Sequence, residues 1–209
     1  EPSDSFIVSK VSGLFDIPPT DKLRVEFNVE VPGLDEDWSI GLIVGPSGSG
    51  KSTIADEAFG LPEPYKWTRQ PVVEDMGNYT AEEITSAMIS VGFSSPPAWL
   101  RPHGVLSNGE KFRCEMARML LSDDELIVID EFTSVVDRQV AQTASIAIAK
   151  TIRKRNRRMV AVTCHYDVAD YLEADWVLDM ATGDLSRGRV QRETIEFKLY
   201  RCEVDAWRM

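Results

Sequence analysis

The nine residues Gly45-Pro46-Ser47-Gly48-Ser49-Gly50-Lys51-Ser52-Thr53 carry the most legible chemistry in this chain. They fit the pattern Gly-x-x-x-x-Gly-Lys-Ser/Thr, follow a short apolar run at 40–44, and open a helical stretch that Gly60 and Pro62 end. Glycines at these places let the backbone curl, so that successive N–H groups face the β- and γ-phosphates of a nucleotide. The helix behind the loop adds the partial positive charge of its N-terminus. Lys51 supplies a point charge for the β/γ oxygens, and the Ser52 hydroxyl is a ligand for Mg²⁺. The bland reading is a Gly/Ser-rich turn ahead of a helix, and the strand–loop–helix context argues against it.

A second run, Leu126-Ile-Val-Ile, ends in Asp130-Glu131. An acid at the end of a buried strand can hold Mg²⁺ through water, which is the role for Asp130. Glu131, one residue on, is placed to polarise an attacking water as general base. Alone, an apolar strand ending in two acids is common; beside a phosphate loop it gains meaning.

Elements must bring these residues together, and the composition says what kind. The chain has 209 residues, of which 43% are apolar and 27% charged, enough for one α/β domain with a short extension. Its net charge of −11 argues against a surface that is basic all over, as a nucleic-acid glove would be. No apolar run reaches the ~18 residues of a membrane helix, so no membrane insertion is expected. Cys114, Cys164 and Cys202 stand far apart with no Cys-x-x-Cys pair, as reduced thiols of a cytoplasmic protein would. Strict alternation from Leu23 to Val31 predicts a half-buried strand and an N-terminal antiparallel β subdomain. Apolar runs at 40–44, 126–129, 159–162 and 176–178 predict buried parallel strands. Between them, Ile84, Ala87, Met88 and Val91 share a helix face behind a Thr80/Glu83 capping box. Phe112, Met116, Met119 and Leu120 share another, and Val136, Val140, Ala144, Ala147 and Thr151 a third. The Pro-rich stretch 62–77 reads as loop with one short strand, and 194–204 as a final strand. The fold class is therefore α/β, with a mostly parallel core sheet and a short helical subdomain.

The deciding stretch is Leu106-Ser107-Asn108-Gly109-Glu110, followed by a helical pattern over 111–121 and then the Asp130-Glu131 strand. Here the chain resembles the ABC ATPase family, whose signature reads Leu-Ser-Gly-Gly-Gln in that place. Ser134-Val-Val-Asp137 resembles the family's D-loop, and Cys164-His165 its switch histidine. Phe15 lies about where the family stacks an aromatic ring on adenine. The resemblance implies a P-loop NTPase of ABC type that binds ATP and Mg²⁺ and hydrolyses ATP. It further implies composite sites in an ATP-state homodimer: the phosphate loop, Asp130 and Glu131 of one copy face Ser107, Asn108, Gly109 and Glu110 of the other. Within that scheme His165 senses the γ-phosphate and Asp137 braces the opposite subunit. The chain departs from the family at Asn108, in the place of a glycine, and at Glu110, in the place of the glutamine. Glu110-Lys111 matches chromosome-condensation and break-repair ATPases. The short interval between Lys51 and Ser107 leaves little room for the helical subdomain that grips membrane domains, which favours a soluble ATPase. Gln70 is the candidate for the Mg²⁺-ligating glutamine. Other readings stay open: Ser107 and Glu110 also form an ordinary capping box, His165 or Phe15 could be core, and His103 is structural. The run Arg153-Lys-Arg-Asn-Arg-Arg158 fits a solvated helix end or a nucleic-acid phosphate contact.

Residues 91–102 and the tail from Ile195, with Ala206-Trp207, look similar to phage and prophage ABC ATPases that precede a GNAT-type N-acetyltransferase domain. This resemblance implies an ATPase domain at 1–190 and a linker at 191–209 leading to an acetyltransferase domain. Alternatives are a transporter nucleotide-binding subunit and a non-hydrolysing ATP-binding module.

Overall fold

The computed structural model of the protein describes residues 6–15 and 29–189. Five strands, β1 (Ile40–Val44), β2 (Leu126–Ile129), β3 (Arg158–Thr163), β4 (Trp176–Asp179) and β5 (Asp184–Arg187), form one sheet in the order β2-β3-β1-β4-β5. β1 to β4 run parallel, and β5 is an antiparallel edge. The helices are α1 (Phe6–Phe15), α2 (Lys51–Phe59), α3 (Ala81–Ser90), α4 (Pro96–Trp99), α5 (Asn108–Leu121), α6 (Arg138–Lys154) and α7 (Val168–Leu172).

Both faces of the sheet are covered, which is why its strands read as continuous apolar runs. Ile40, Leu42, Ile127, Ile129, Met159 and Ala161 join a core with Met88, Phe112, Leu120, Ile148 and Ile152 from α3, α5 and α6. The alternate residues Ile43, Val128, Val160, Val162 and Leu178 point the other way, toward Ala55 of α2 and the rings of Trp38 and Trp176. Trp38 meets Trp176 edge-on at 5.6 Å, and Phe59 at the end of α2 stacks on Trp176 at 6.0 Å. Gly41 makes this possible: a Cβ there would lie 2.0 Å from Trp176 Cζ2.

The capping box of α3 is present, with Thr80 Oγ1 accepting from Glu83 N–H (3.2 Å) and Glu83 Oε2 accepting from Thr80 N–H (2.8 Å). Several expectations need revision or fall outside the described residues. The buried stripe of α6 is Ala141, Ala144, Ser145, Ile148, Ala149 and Ile152, one residue round from the predicted face. An alanine-rich helix offers two apolar stripes, and the sheet takes the one with the bulky isoleucines, which removes more surface from water. Segment 62–77 holds no strand, only a bridge between Pro71 and Pro102 and a 3₁₀ turn, Glu74–Met76; its prolines lack the N–H a ladder needs. Val29 and Val31 are irregular but pack on the second core, and the rest of the 23–31 strand lies outside the described residues, as do the 194–204 strand and the 191–209 linker. β5 was not predicted, because a polar edge strand carries no apolar signal.

The arginine run folds back on the chain's own backbone. Arg155 and Arg157 both donate to the Leu120 carbonyl at the end of α5, and Arg157 Nε donates to Asp124 O (2.8 Å). Arg158 Nη2 donates to Glu36 O (3.0 Å), and Arg153 pairs with Asp175 (3.1 Å). These guanidiniums are tied to the chain's own carbonyls and carboxylate, while Lys154, Arg155 and Asn156 stay exposed, as a solvated helix end is. Among the described residues, no helix is long and apolar enough to cross a membrane.

Replacing Gly41 with Ala should lower unfolding free energy by about 1–3 kcal/mol, since the clash is with a buried ring that has no free space to enter. Chemical denaturation of the two proteins measures it, and equal midpoints would refute the packing account.

Candidate functional site

Strand register brings the chemistry together. Leu42 of β1 is level with Ala161 of β3, and Ala161 is level with Ile129 of β2. The residues just past these levels therefore leave one edge of the sheet side by side: the loop from Gly45, the pair Asp130-Glu131, and His165. β3 lies between β1 and β2, so loop and acids are separated by two strand spacings, about 10 Å. That is room for a phosphate chain.

The loop's glycines are needed where they stand. Gly48 (φ 79°) and Gly50 (φ 84°) occupy the left-handed region, which glycine enters without strain. Lys51 Nζ donates to the Pro46 carbonyl (2.7 Å), drawing the loop into a ring. Ser49 Oγ is buried and has no hydrogen-bond partner among the described residues. A curled backbone, a lysine at its rim and an unsatisfied hydroxyl fit a bound polyphosphate.

At β2 the backbone is strained. Glu131 (φ 50°) and buried Thr133 (φ 65°) both lie in the left-handed region, where a β-branched residue is a true outlier. Phe132 N–H bonds Val162 O (2.8 Å), and Ser134 N–H bonds Glu131 O (2.9 Å), and these hold the turn. Asp130 Oδ1 accepts from Glu131 N–H (2.8 Å), so one oxygen of Asp130 orients the next residue and the other remains for a cation. His165 Nδ1 lies 3.4 Å from Thr133 Oγ1, and the backbone N–H of His165 donates to Thr163 Oγ1 (3.2 Å).

The segment 107–110 is the first turn of α5. Ser107 caps it: Glu110 Oε2 accepts from Ser107 N–H (2.8 Å) and Oγ (2.7 Å), and Ser107 Oγ accepts from Glu110 N–H. These bonds hold the Glu110 carboxyl below the usual carboxylate range. Gly109 abuts Val140 in the first turn of α6, where a Cβ would meet Val140 Cγ1 at 3.6 Å. Asp137 caps α6, accepting from Val140 N–H (2.9 Å). The structure thus sets the signature turn beside Asp137, while the phosphate loop, Asp130-Glu131 and His165 form a second group at the sheet edge.

No family model matches the chain. It is 29% identical over 174 residues to an aliphatic sulfonates import ATP-binding protein of Corynebacterium glutamicum, covering 69% of this chain and 70% of that one. It is 28% identical over 164 residues to a mitochondrial potassium channel ATP-binding subunit of Xenopus tropicalis, covering 76% of this chain and 22% of that protein's length. Among solved structures, a dimeric ATP-binding cassette in a post-hydrolysis state with ADP and Pi superposes with a TM-score of 0.59 at 16% identity, covering 78% of this chain and 89% of that one. The chain has the ABC-type ATPase fold. The names of these relatives, both ATP-binding, support the ABC ATPase nucleotide-binding domain family.

Two expected cassette residues are not brought to the sheet edge by any bond among the described residues. Phe15 ends α1 and is 69% exposed. Gln70 is exposed, its N–H donating to Thr68 Oγ1 (3.0 Å). The segment bearing Gln70 is anchored on the signature helix instead. Trp67 stacks on His103 at 4.3 Å with ring planes 2° apart, and Arg118 of α5 lies over the Tyr65 ring. Asp75 accepts from Thr68 N–H (2.9 Å) and Oγ1 (2.8 Å). His103 opens the 3₁₀ turn, His103–Val105, that leads into Ser107. Sequence reading missed Thr133, whose only signal was its place after Asp130-Glu131.

Burial, with Lys111 adding in the same direction, holds the His103 imidazole below the ordinary histidine pKa; the Asp75 carboxylate and a backbone bond with Lys111 oppose this, and Glu115 Oε1 lies 3.6 Å from Nε2. The unfolded chain takes up this proton at higher pH than the folded one. Its contribution is therefore full above about pH 6.5 and is lost as pH falls through the lower folded value. His103→Phe keeps a ring on Trp67 and removes the titration. Denaturant curves at about pH 7.5 and about pH 5.5 should show a smaller stability loss in the variant; an unchanged loss would assign it to other groups.

Proposed function

We propose that the chain is an ABC-type ATPase that hydrolyses ATP at composite sites between two copies and so switches a partner domain. The carrying observation is the strand register that gathers Lys51, Asp130, Glu131 and His165 at one edge, with the signature turn held apart beside Asp137. Dimeric cassettes among the structural neighbours favour pairing through ATP.

In this reading the loop amides and Lys51 hold the β- and γ-phosphates, with Ser47, Gly48, Ser49, Gly50 and Thr53 closing the cradle. Mg²⁺ would be held by Ser52 and Asp130, with Gln70 a further candidate, and supplies charge neutralisation at the phosphate oxygens. The Glu131 carboxylate takes a proton from the attacking water. With Nδ1 engaged by Thr133, His165 is left with Nε2 for the γ-phosphate. Ser107 and Gly109 of the second copy complete the site, so hydrolysis removes the bridge between copies.

The partner is narrower ground. The acetyltransferase reading rests on the likeness of residues 91–102, whose Phe93, Ala98 and Trp99 are core here, and of the tail from Ile195; a nucleic-acid role rests on the arginine run, part of which the chain's own carbonyls engage. A cytoplasmic location suits the unpaired thiols of Cys114 and Cys164. A second reading, a transporter's nucleotide-binding subunit, is favoured by the names of the relatives; co-purification with a membrane protein would select it.

Glu131→Gln with Mg²⁺ and ATP should form a stable dimer by light scattering, while the unaltered protein releases phosphate. A variant that turns over normally would remove Glu131 as the base. Binding without pairing would leave Ser107 and Glu110 as a helix cap, and bound ATP without phosphate release would favour the non-hydrolysing module.

A further inference from the structure

The Asp137 segment is fastened to the His165 turn at both of its ends. At its start, buried Thr133 lies 3.4 Å from His165 Nδ1. At its end Arg138, the residue after Asp137, grips Asp167 with Nε (3.1 Å) and with Nη2. Asp167 is two residues past His165, and its Oδ2 also accepts from the Tyr171 hydroxyl (2.9 Å). Val168 N–H bonds the His165 carbonyl (3.3 Å), so His165 and Asp167 belong to one turn.

The bland reading is a surface ion pair with little effect on stability, since both side chains are 42% exposed. Two facts weigh against it. A cation in the first turn of α6 opposes the helix dipole, and that helix start is already capped by Asp137, so Arg138 does nothing for the helix itself. A two-pronged guanidinium–carboxylate contact also fixes direction as well as distance, which a charge on a free surface would not require.

We propose that Arg138 and Asp167 are a positioning pair that couples the His165 turn to the Asp137 segment, so that the phosphate state met by His165 is passed to the face Asp137 presents to a second copy. The inference rests on the composite-site reading above. Arg138 touches no reacting atom; it acts through Asp167 and the His165 turn.

The test uses Arg138→Ala, Asp167→Ala and the exchanged pair Arg138→Asp with Asp167→Arg, each alone and with Glu131→Gln. Each single variant should bind a fluorescent ATP analogue as the parent does and keep its KM, while kcat falls about tenfold. The exchanged pair should recover most of that loss. Unchanged kcat in the single variants overturns the proposal, as does a loss that tracks melting temperature and is not recovered by exchange. If the exchanged pair does not fold, Arg138→Lys decides: it keeps the charge without the fork, and wild-type kcat there overturns the directional argument. Failure of Glu131→Gln alone to pair with ATP removes the composite-site reading and this inference with it. Pairing there, with kcat unmoved by Arg138→Ala, removes this inference alone.

Discussion

The level alignment of Leu42, Ala161 and Ile129 across three parallel strands is the constraint on which the chemistry depends. Because the strands are parallel and in that register, their C-terminal ends leave the sheet together, and three loops far apart in sequence meet at one edge. What holds the register is packing on both faces. Gly41 is opposite Trp176 in the ladder and lies under its ring. A one-residue slip would bring Ile40 or Leu42 to a place where even a methyl group does not fit, and would reverse every side chain on β1.

A second constraint sits where β2 leaves the sheet. Two non-glycine residues in the left-handed region, Glu131 and Thr133, store strain of about 1–3 kcal/mol each. Bonds to β3 and within the turn hold them there. The turn aims Glu131 outward and drives Thr133 inward to His165, so the Glu131 carboxylate and the His165 ring are set by one piece of backbone. The signature helix is fixed from its far end, where Arg155 and Arg157 clasp the Leu120 carbonyl. Its near end is left to Ser107, Glu110 and the neighbouring first turn of α6.

The phosphate loop was legible because its function requires glycine at fixed places, and glycine is visible in a sequence. The strands were legible because burial on both faces demands continuous apolar runs. The capping boxes at Thr80 and Ser107 were legible because they are local, with partners three residues apart. The buried stripe of α6 was misread, because alanine at many positions leaves the choice of face to the neighbours. The charge of the arginine run is evident in sequence, but the carbonyls that Arg157 holds lie more than thirty residues away and are not.

The sequence by itself determined the fold class, the phosphate loop, the two acids and the order of the motifs, since each depends on residue type and short spacing. Only the tertiary structure decided which motifs meet. It placed His165 on Thr133, Gly109 on Val140, the Gln70 segment on α5 through Tyr65 and Arg118, and Arg138 on Asp167. These contacts join residues that are distant in the chain. They are fixed by strand register and helix packing, which arise from the whole core at once and leave no local mark in the sequence.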